Sequence, residues 1–318
     1  MDIREELVKI GLITGDADLI DALDRLGRVA VSDITVVLTG ASGTGKNLVA
    51  KFVHEHSKRK GNPFVTVDVS CLSSSLIESE LFGHEKGAFT GALNTHVGAI
   101  ELAKNGTLFL DEIGELSLNL QKKLLRAIET KTVKRLGGEK DIVLDFNIIV
   151  ATNKDLKKMV EEKTFREDLF FRLHEASFQL KPLKERRGDI PLLVNHFIKF
   201  YNTKFDKKVK AVSDATIDYL EKYSWPGNIR ELENLIKTAV ATTSKDVLWI
   251  EDLPLHFSEQ KSNGWVNKMV SMAQMEREYI SYVLDKCNWN KSKAAKILEI
   301  SRPKLHRMIS RFSLKSEY

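Results

Sequence analysis

The sequence has little cysteine and no long apolar run. Its 318 residues include two cysteines, Cys71 and Cys287, which lie far apart and belong to no Cys/His cluster. A disulfide framework or zinc site is therefore not expected, and both cysteines are predicted to be reduced core thiols. No apolar run approaches the ~20 residues that span a membrane. The acidic N-terminus, MDIREELVKIG, lacks the basic-then-apolar order of a signal peptide, so a cytoplasmic location is predicted.

The composition indicates a globular protein with one basic end. The chain is 42% hydrophobic and 29% charged, which excludes a disordered protein. From Ser271 onward, ten Lys and Arg residues stand against five Asp and Glu, which accounts for the whole net charge of +5. Apolar residues recur through this stretch at helical spacing, which favours a folded module over a solvated tail. A small nucleic-acid-binding domain is therefore predicted there.

The remainder alternates between short apolar runs and amphipathic helical patterns. Buried strands are predicted over 36–40, 64–69, 107–112 and 146–153, with a hairpin before the last. Strand–helix alternation predicts an α/β domain with a parallel sheet over residues 1–180. Helical patterns predict a small all-α domain over 181–254. A polar linker over 255–270 follows, and then a three-helix domain over 271–318, with helical segments at 273–287, 291–298 and 302–312.

Residues 40–47, GASGTGKN, form a glycine-rich loop between a predicted strand and a predicted helix over 46–56. The glycines let the backbone N–H groups converge on phosphate oxygens, and Lys46 can reach the β- and γ-phosphates. Asn47 stands where Ser or Thr usually ligates Mg²⁺, and its amide oxygen can still hydrogen-bond a metal-bound water. Nucleotide binding is therefore predicted for Gly40, Ala41, Ser42, Gly43, Thr44, Gly45, Lys46 and Asn47.

Asp111 and Glu112 end the apolar run TLFLDE. The carboxyl end of a strand is where open α/β sheets bind ligands. Asp111 suits Mg²⁺ coordination, and Glu112 suits polarising the water that attacks the γ-phosphate. Alone, the pair fits a helix cap as readily as a catalytic site. Together with the glycine-rich loop, it predicts a site for ATP hydrolysis.

Two further segments have alternative interpretations. Phe89 lies between Gly87 and Gly91 in GAFTGA, which fits either a surface turn whose ring folds back or a loop that holds an apolar tip outward for a partner. Arg166 and Arg172, in FREDLFFRL, fit either surface arginines on a helix or arginine fingers supplied to a neighbouring subunit's γ-phosphate.

The basic C-terminal segment KSKAAKILEISRPKLHRMISRF fits a helix-turn-helix. Ser301 can cap the second helix, and Pro303 falls in its first turn. Glu299 occupies the turn, where a positive φ would disfavour it. Leu305 belongs to the buried side, together with Met308 and Ile309. The residues predicted to contact DNA are Ser301, Arg302, Lys304, Arg307 and Arg311. A three-helix oligomerisation module is the alternative.

These motifs resemble those of the AAA+ bacterial enhancer-binding proteins, the NtrC-type activators of sigma-54 RNA polymerase. The motifs are GASGTGK, SELFGHEKGAFTGA, GTLFLDEIGEL, ATNKDL, FREDLFFRL, PLKERRGDIPLL and WPGNIRELENLI, and the match covers about residues 10–315. The C-terminal part resembles the family's Fis-type helix-turn-helix. The resemblance implies an AAA+ P-loop domain with a parallel sheet, a small all-α lid and a three-helix DNA-binding domain.

The resemblance also implies a role for each matching residue. For nucleotide binding and hydrolysis, Gly40 to Lys46 match the Walker A loop, and Asp111 and Glu112 match Walker B. Thr152 and Asn153 match sensor I. Arg166 and Arg172 match the arginine fingers, and Arg230 matches the sensor II arginine of the lid. The loop expected to grip sigma-54 comprises Gly87, Ala88, Phe89, Thr90, Gly91 and Ala92, with Phe89 and Thr90 at its tip. Residues 136–140 match a second insertion that moves with it.

Asp68 departs from the family pattern. The resemblance places it where the family commonly has an Asn that faces the Walker B glutamate and holds it inactive until the partner engages. An Asp beside Glu112 would repel that carboxylate, or raise the pKa of one of the two. The departure implies a leakier or differently timed switch.

The implied function is that of an ATP-hydrolysing transcription activator that uses ATP and Mg²⁺. It would bind double-stranded enhancer DNA, assemble into a ring, usually a hexamer, and remodel the closed sigma-54 RNA polymerase promoter complex into the open complex. One alternative is an ATP-binding, DNA-binding regulator with weak or no hydrolysis, which Asp68 and Asn47 support. Another is a remodelling ATPase that acts on a different protein.

Only about ten residues precede the region of resemblance, too few for a receiver or ligand-sensing domain. The expectation is therefore either a stand-alone activator controlled by a trans-acting regulatory protein, or a shortened form of a longer protein.

Overall fold

The computed structural model describes residues 3–71, 74–254 and 276–312, the last range without 278, 282, 285, 286 and 288. The chain divides into two compact units, Met1–Leu253 and Pro254–Tyr318. The predicted linker over 255–270 lies outside the described residues, as does part of the helical segment predicted over 273–287.

A parallel sheet organises the first unit. The strands of this unit are β1 (Val36–Thr39), β2 (Phe64–Asp68), β3 (Thr107–Asp111), β4 (Thr132–Val133), β5 (Ile142–Val143), β6 (Asn147–Thr152), β7 (Ala176–Gln179), β8 (Ala211–Val212) and β9 (Val247–Leu248). The main sheet has the order β2-β3-β6-β1-β7, and its neighbouring strands are parallel. The predicted hairpin is present as the antiparallel pair of β4 and β5. The α/β fold expected from strand–helix alternation is confirmed.

Helices cover both faces of the sheet. Among the described residues, the α-helices whose two ends are both defined are α1 (Ile3–Lys9), α2 (Ala17–Ala30), α3 (Lys46–His56), α4 (Ser74–Phe82), α5 (Ala99–Leu102), α6 (Leu118–Thr130), α7 (Leu156–Glu161), α8 (Glu167–Leu173), α9 (Asp189–Phe205), α10 (Asp214–Lys222), α11 (Asn228–Thr242), α12 (Lys291–Ile297) and α13 (Arg302–Arg311). Strand residues alternate between two cores: Leu108 and Leu110 face one, whereas Phe109 faces the other. A strand buried on both faces reads as a continuous apolar run, as β3 does.

The lid follows the sheet and is mainly helical. It contains α9, α10 and α11, of which α9 and α11 pack against each other. The short parallel pair of β8 and β9 also belongs to it, and the helical pattern of the sequence does not predict that pair. No helix in the described part of the chain is long and apolar enough to cross a membrane.

The second unit has a small core of its own. Ala294 and Ala295 are buried there, together with Leu305, and this packing brings α12 and α13 together. Cys287 belongs to this core, as predicted. The prediction of a core thiol at Cys71 is wrong, because the side chain is exposed in the turn that follows β2.

Candidate functional site

The glycine-rich loop connects β1 to α3 as predicted. Gly45 precedes α3 with a φ of 104°, in the left-handed region that glycine adopts without strain. Position 43 is limited to glycine by the space around it, because a Cβ there would lie 2.4 Å from the carbonyl oxygen of Gly227 in the lid. The N–H of Ile229 donates to the Gly43 carbonyl at 2.9 Å, and the Asn228 amide donates to the Ser42 carbonyl at 2.9 Å. The start of α11 is therefore bonded directly to the loop.

Lys46 is the buried cation of this loop, with a side chain 5% exposed. Its Nζ donates to the Gly40 carbonyl at 2.9 Å and lies 3.6 Å from Oε1 of Glu112. The ammonium group therefore lies between the loop and the carboxylates at the end of β3. This position suits a cation that bridges a polyphosphate and the reacting centre.

Asp111 ends β3 and Glu112 follows it, and the two carboxylates differ in their surroundings. Burial raises the pKa of Asp111; the positive charge of Lys46 opposes this, and the carboxylates of Glu112 and Asp68 add to it. Glu112 has a φ of 56°, which is left-handed backbone and strained for a residue with a side chain. Its Oε2 accepts the backbone N–H of Asn153 at 3.0 Å. The strained backbone and this hydrogen bond fix its carboxylate over the end of the sheet.

Asp68 lies across the strand pair from Asp111, because the register of β2 and β3 pairs these two residues. Its Oδ1 accepts hydrogen bonds from the Ser70 hydroxyl at 2.6 Å and the Ser70 N–H at 2.9 Å. The hydroxyl bond is the main cause of its lowered pKa. The charge of Asp68 adds to the raised pKa of Asp111, and its expected action on Glu112 stays a prediction.

A cavity of about 420 Å³ brings most of the predicted nucleotide residues together. Arg230 enters it from the lid, and its Nη1 donates to Oγ of Ser42 at 3.0 Å. The predicted residues that line it are Ser42, Gly43, Gly45, Lys46, Asn47, Asp68, Asp111, Glu112 and Arg230. Gly40, Ala41 and Thr44 belong to the same loop but do not line the cavity, and Asn153 contacts Glu112 through its backbone.

Sequence reasoning missed a part of the site in the lid. Ile229 and Glu233 of α11 line the cavity, and both also line an adjoining apolar slot that contains Arg186. These residues lie more than a hundred positions from the glycine-rich loop and match no phosphate-binding motif. Only the helical spacing of Ile229, Arg230 and Glu233, on one side of α11, could have indicated them.

Arg166 and Arg172 lie outside this cavity. Arg166 precedes α8 and pairs with Asp168 at 2.6 Å, whereas Arg172 pairs with Glu175. Both side chains are 37% exposed. The structure therefore does not bring either arginine to the nucleotide site of its own chain.

The segment around Phe89 is a surface loop. The Gly87 N–H donates to the Ala92 carbonyl at 2.8 Å and closes the loop. The ring of Phe89 is 45% exposed and meets the His84 ring edge-on at 4.9 Å. Ala88 and Thr90 lie between these closing residues, as does Gly91. Phe89 therefore neither enters the core nor extends fully into solvent.

The hairpin of β4 and β5 is bonded to the base of this loop. The Leu136 N–H donates to the Gly83 carbonyl at 3.0 Å, and the Glu85 N–H donates to the Leu136 carbonyl at 2.9 Å. Arg135 adds ion pairs to Glu85 and Glu101 at 3.0 and 2.8 Å. A displacement of the hairpin would therefore move the Phe89 loop.

In the second unit, α13 has the predicted cap and exposed face. The Ser301 hydroxyl accepts the Lys304 N–H at 3.4 Å, and Pro303 lies in the first turn. Glu299 has a φ of 53°, so the turn requires the strained conformation that the sequence indicated. Leu305 is buried, while the predicted DNA-contacting residues are all exposed: Ser301, Arg302, Lys304, Arg307 and Arg311.

Comparisons with known families match most of the chain. The Sigma-54 interaction domain matches residues 12–179, the AAA+ ATPase lid domain matches 184–268, and the Fis family of bacterial regulatory proteins matches 271–312.

Similar proteins and structures agree with this result. The chain is 41% identical over 300 residues to the regulatory protein AtoC of Escherichia coli, covering 92% of this chain and 65% of AtoC. It is 41% identical over 304 residues to the transcriptional regulatory protein ZraR of Salmonella typhimurium, covering 95% of this chain and 69% of ZraR. The crystal structure of NtrX from Brucella abortus in complex with ATP superposes with a TM-score of 0.75 at 30% identity, covering 98% of this chain and 72% of NtrX. The chain thus spans about two thirds of the length of these relatives.

Proposed function

This chain belongs to the family of sigma-54-dependent transcriptional activators, and we propose that it hydrolyses ATP to remodel the closed sigma-54 RNA polymerase promoter complex into the open complex. The observation that carries the proposal is the cavity in which Lys46, Asp111 and Glu112 meet. In this assignment residues 1–180 bind the nucleotide, 181–254 form the lid, 255–270 link the units and 271–318 bind enhancer DNA.

The chain's own residues suit each part of ATP hydrolysis. The loop N–H groups and Lys46 hold the β- and γ-phosphates, and Arg230 contacts the nucleotide from the lid. Glu112 accepts a hydrogen bond from the attacking water and polarises it. Arg166 and Arg172 act on the γ-phosphate of a neighbouring subunit in a ring, for which we propose a hexamer.

A magnesium ion fits the donor set at the end of β3. Mg²⁺ is usually bound by one or two carboxylates together with phosphates and waters. The Asp111 carboxylate and the Asn47 amide line the same cavity, and Lys46 balances part of the negative charge. Asp111 would hold the ion, with Asn47 contacting one of its waters. The ion would supply charge neutralisation on the phosphate oxygens.

The output of hydrolysis is proposed to be the Phe89 loop. Its hydrogen bonds to the β4–β5 hairpin provide a route by which a change near the nucleotide alters the loop. An exposed apolar tip between two glycines suits contact with sigma-54. The exposed cations of α13 suit the major groove and phosphates of double-stranded DNA.

The central test is ATP-dependent open-complex formation with sigma-54 RNA polymerase, comparing the wild-type chain with Thr90→Ala. Thr90 is exposed at the loop tip, so its replacement removes a partner contact and leaves the nucleotide cavity intact. We expect Thr90→Ala to keep ATP turnover within about threefold of wild type and to lose open-complex formation by about tenfold or more, since one buried interface contact is worth 1 to 3 kcal/mol. Permanganate footprinting of the melted promoter measures the effect. Open complexes formed by wild type without ATP would overturn the proposal.

Asp68 bears on how this hydrolysis is controlled, and its replacement also tests a second candidate, a nucleotide-binding regulator that hydrolyses ATP weakly. An ionised Asp only accepts hydrogen bonds, whereas Asn can also donate one to a neighbouring carboxylate. We therefore expect Asp68→Asn to lower basal ATP turnover several-fold and to increase its dependence on sigma-54, because a donated hydrogen bond restrains the site carboxylates. Phosphate release with and without sigma-54 measures both quantities.

Asp24→Asn, on the exposed side of α2, is the matched control. Unchanged basal turnover and coupling would remove Asp68 from the switch, and no turnover in wild type would favour the weak-hydrolysis candidate.

A further inference from the structure

An apolar slot of about 100 Å³ adjoins the nucleotide cavity on the side of the lid. The two share Gly45, Leu48, Ile229 and Glu233 as a common wall. The rest of the slot is mainly aliphatic, with contributions from the N-terminal segment, α3 and α9. Because the slot shares this wall with the cavity, it is the adjoining space that the base of a nucleotide could enter when its phosphates occupy the cavity. The inference below rests on the proposed use of ATP.

Arg186 is a buried cation in this mainly apolar slot, which Glu233 and His196 also line. Its side chain is 3% exposed, and burial lowers its pKa. Nη2 donates to the Thr44 carbonyl at 2.7 Å, and Nη1 lies 3.4 Å from Oδ2 of Asp189. Its Nε–H has no hydrogen-bond acceptor among the described residues, and it is the one buried side-chain polar atom in that part of the chain with this property. A buried donor without an acceptor is costly and rare in native proteins.

The guanidinium group is held from two sides, so the direction of Nε is fixed. Thr44 belongs to the glycine-rich loop. Asp189 begins α9, and its carboxylate accepts the Thr14 hydroxyl at 2.8 Å and the Gly15 N–H at 2.7 Å. Loop, lid and N-terminal segment therefore all anchor Arg186. Such anchoring makes Nε a preorganised donor for a ligand atom.

We propose that Arg186 determines nucleotide specificity by donating its Nε–H to a ring nitrogen of the adenine base bound in this slot. Adenine offers unprotonated ring nitrogens at N1, N3 and N7, each a hydrogen-bond acceptor. A charged donor is stronger than a neutral one, and the apolar slot excludes the water that would compete for it. A site built to bond a ligand atom discriminates against analogues that lack it, because its own group is then left unpaired.

The test removes one candidate hydrogen-bond acceptor at a time from the adenine base of ATP. The affinities of the full chain for ATP and for 1-deaza-, 3-deaza- and 7-deaza-ATP are measured by isothermal titration calorimetry; each analogue replaces one ring nitrogen by C–H. We expect at least one analogue to bind wild type about tenfold or more weakly than ATP. Arg186→Lys removes the Nε–H while keeping a cation, and we expect it to bind ATP about tenfold more weakly and to lose the penalty for that analogue alone.

Arg187→Lys is the matched control, because Arg187 is the exposed neighbour of Arg186. Arg187→Lys should bind each deaza-ATP analogue more weakly than ATP by the same factor as wild type does. Equal penalties in wild type and Arg186→Lys would assign Arg186 a purely structural role and overturn the proposal. If no analogue binds wild type more weakly than ATP, the proposal fails whatever the folding of the variant. Binding is measured separately from hydrolysis, so loss of ATP turnover in wild type would refute the proposed function without touching this result.

Discussion

Replacing Glu112 with Gln is expected to lower ATP turnover by about 10²- to 10⁴-fold while leaving nucleotide affinity within about threefold, the range that loss of a positioned general base produces. Gln has nearly the shape of Glu and can still accept the Asn153 N–H, so the backbone at the end of β3 is retained. It has no negative charge to polarise water. Loss of the 3.6 Å ion pair also frees Lys46 for phosphate, so affinity should not fall.

Steady-state phosphate release and calorimetric binding of ATP check the two halves of this prediction. Glu115→Gln is the control. Glu115 lies three residues further along the chain, its Oε2 pairs with Lys154 Nζ at a distance of 2.9 Å, and neither residue lines the cavity. It should keep near wild-type turnover. Turnover of Glu112→Gln within threefold of wild type would show that another group polarises the water.

Local signals explain why the phosphate loop could be predicted from the sequence. The loop glycines and the apolar β1 specify a strand, a turn and a helix, and the predicted helix over 46–56 agrees with α3 (Lys46–His56). In contrast, β7 (Ala176–Gln179) is missing from the prediction. Its four residues are ASFQ, and only Phe178 is buried, because β7 is an edge strand that pairs with β1 alone. An edge strand of this kind has no apolar run to reveal it.

Long-range geometry decides the remainder of the site. Arg186 and Arg187 are adjacent and identical in the sequence, yet one is buried against Thr44 and the other is exposed. The interaction of Asp68 with Asp111 depends on the register of β2 and β3. The expected position of Glu112 agrees with the structure, because it depends on its place directly after β3, and its role in hydrolysis stays a prediction. A residue's position within one element can thus be predicted from the local sequence, whereas its partner in another element cannot.

Arg172→Ala is expected to lower ATP turnover about 10³-fold or more, the range for loss of an arginine finger, with ATP affinity of the isolated subunit unchanged. The reason is position: Arg172 is half-exposed on α8, pairs with Glu175, and does not line the cavity of its own chain. We therefore expect the loss of turnover to come through a neighbouring subunit. Lys157→Ala, on the exposed part of α7, is the control and should leave turnover unchanged.

Mixing two inactive variants separates action in trans from a local defect. An Arg172→Ala subunit retains Glu112, and a Glu112→Gln subunit retains Arg172. Where the two meet in the correct order, one site has an intact glutamate in cis and an intact arginine in trans. Equal mixing should therefore restore about a quarter of the wild-type turnover if subunits assemble at random and every site acts independently, against about a hundredth or less for either variant alone. Turnover that stays at the level of the single variants would place Arg172 outside the neighbour's site, because only a shared site allows one subunit to supply what the other lacks.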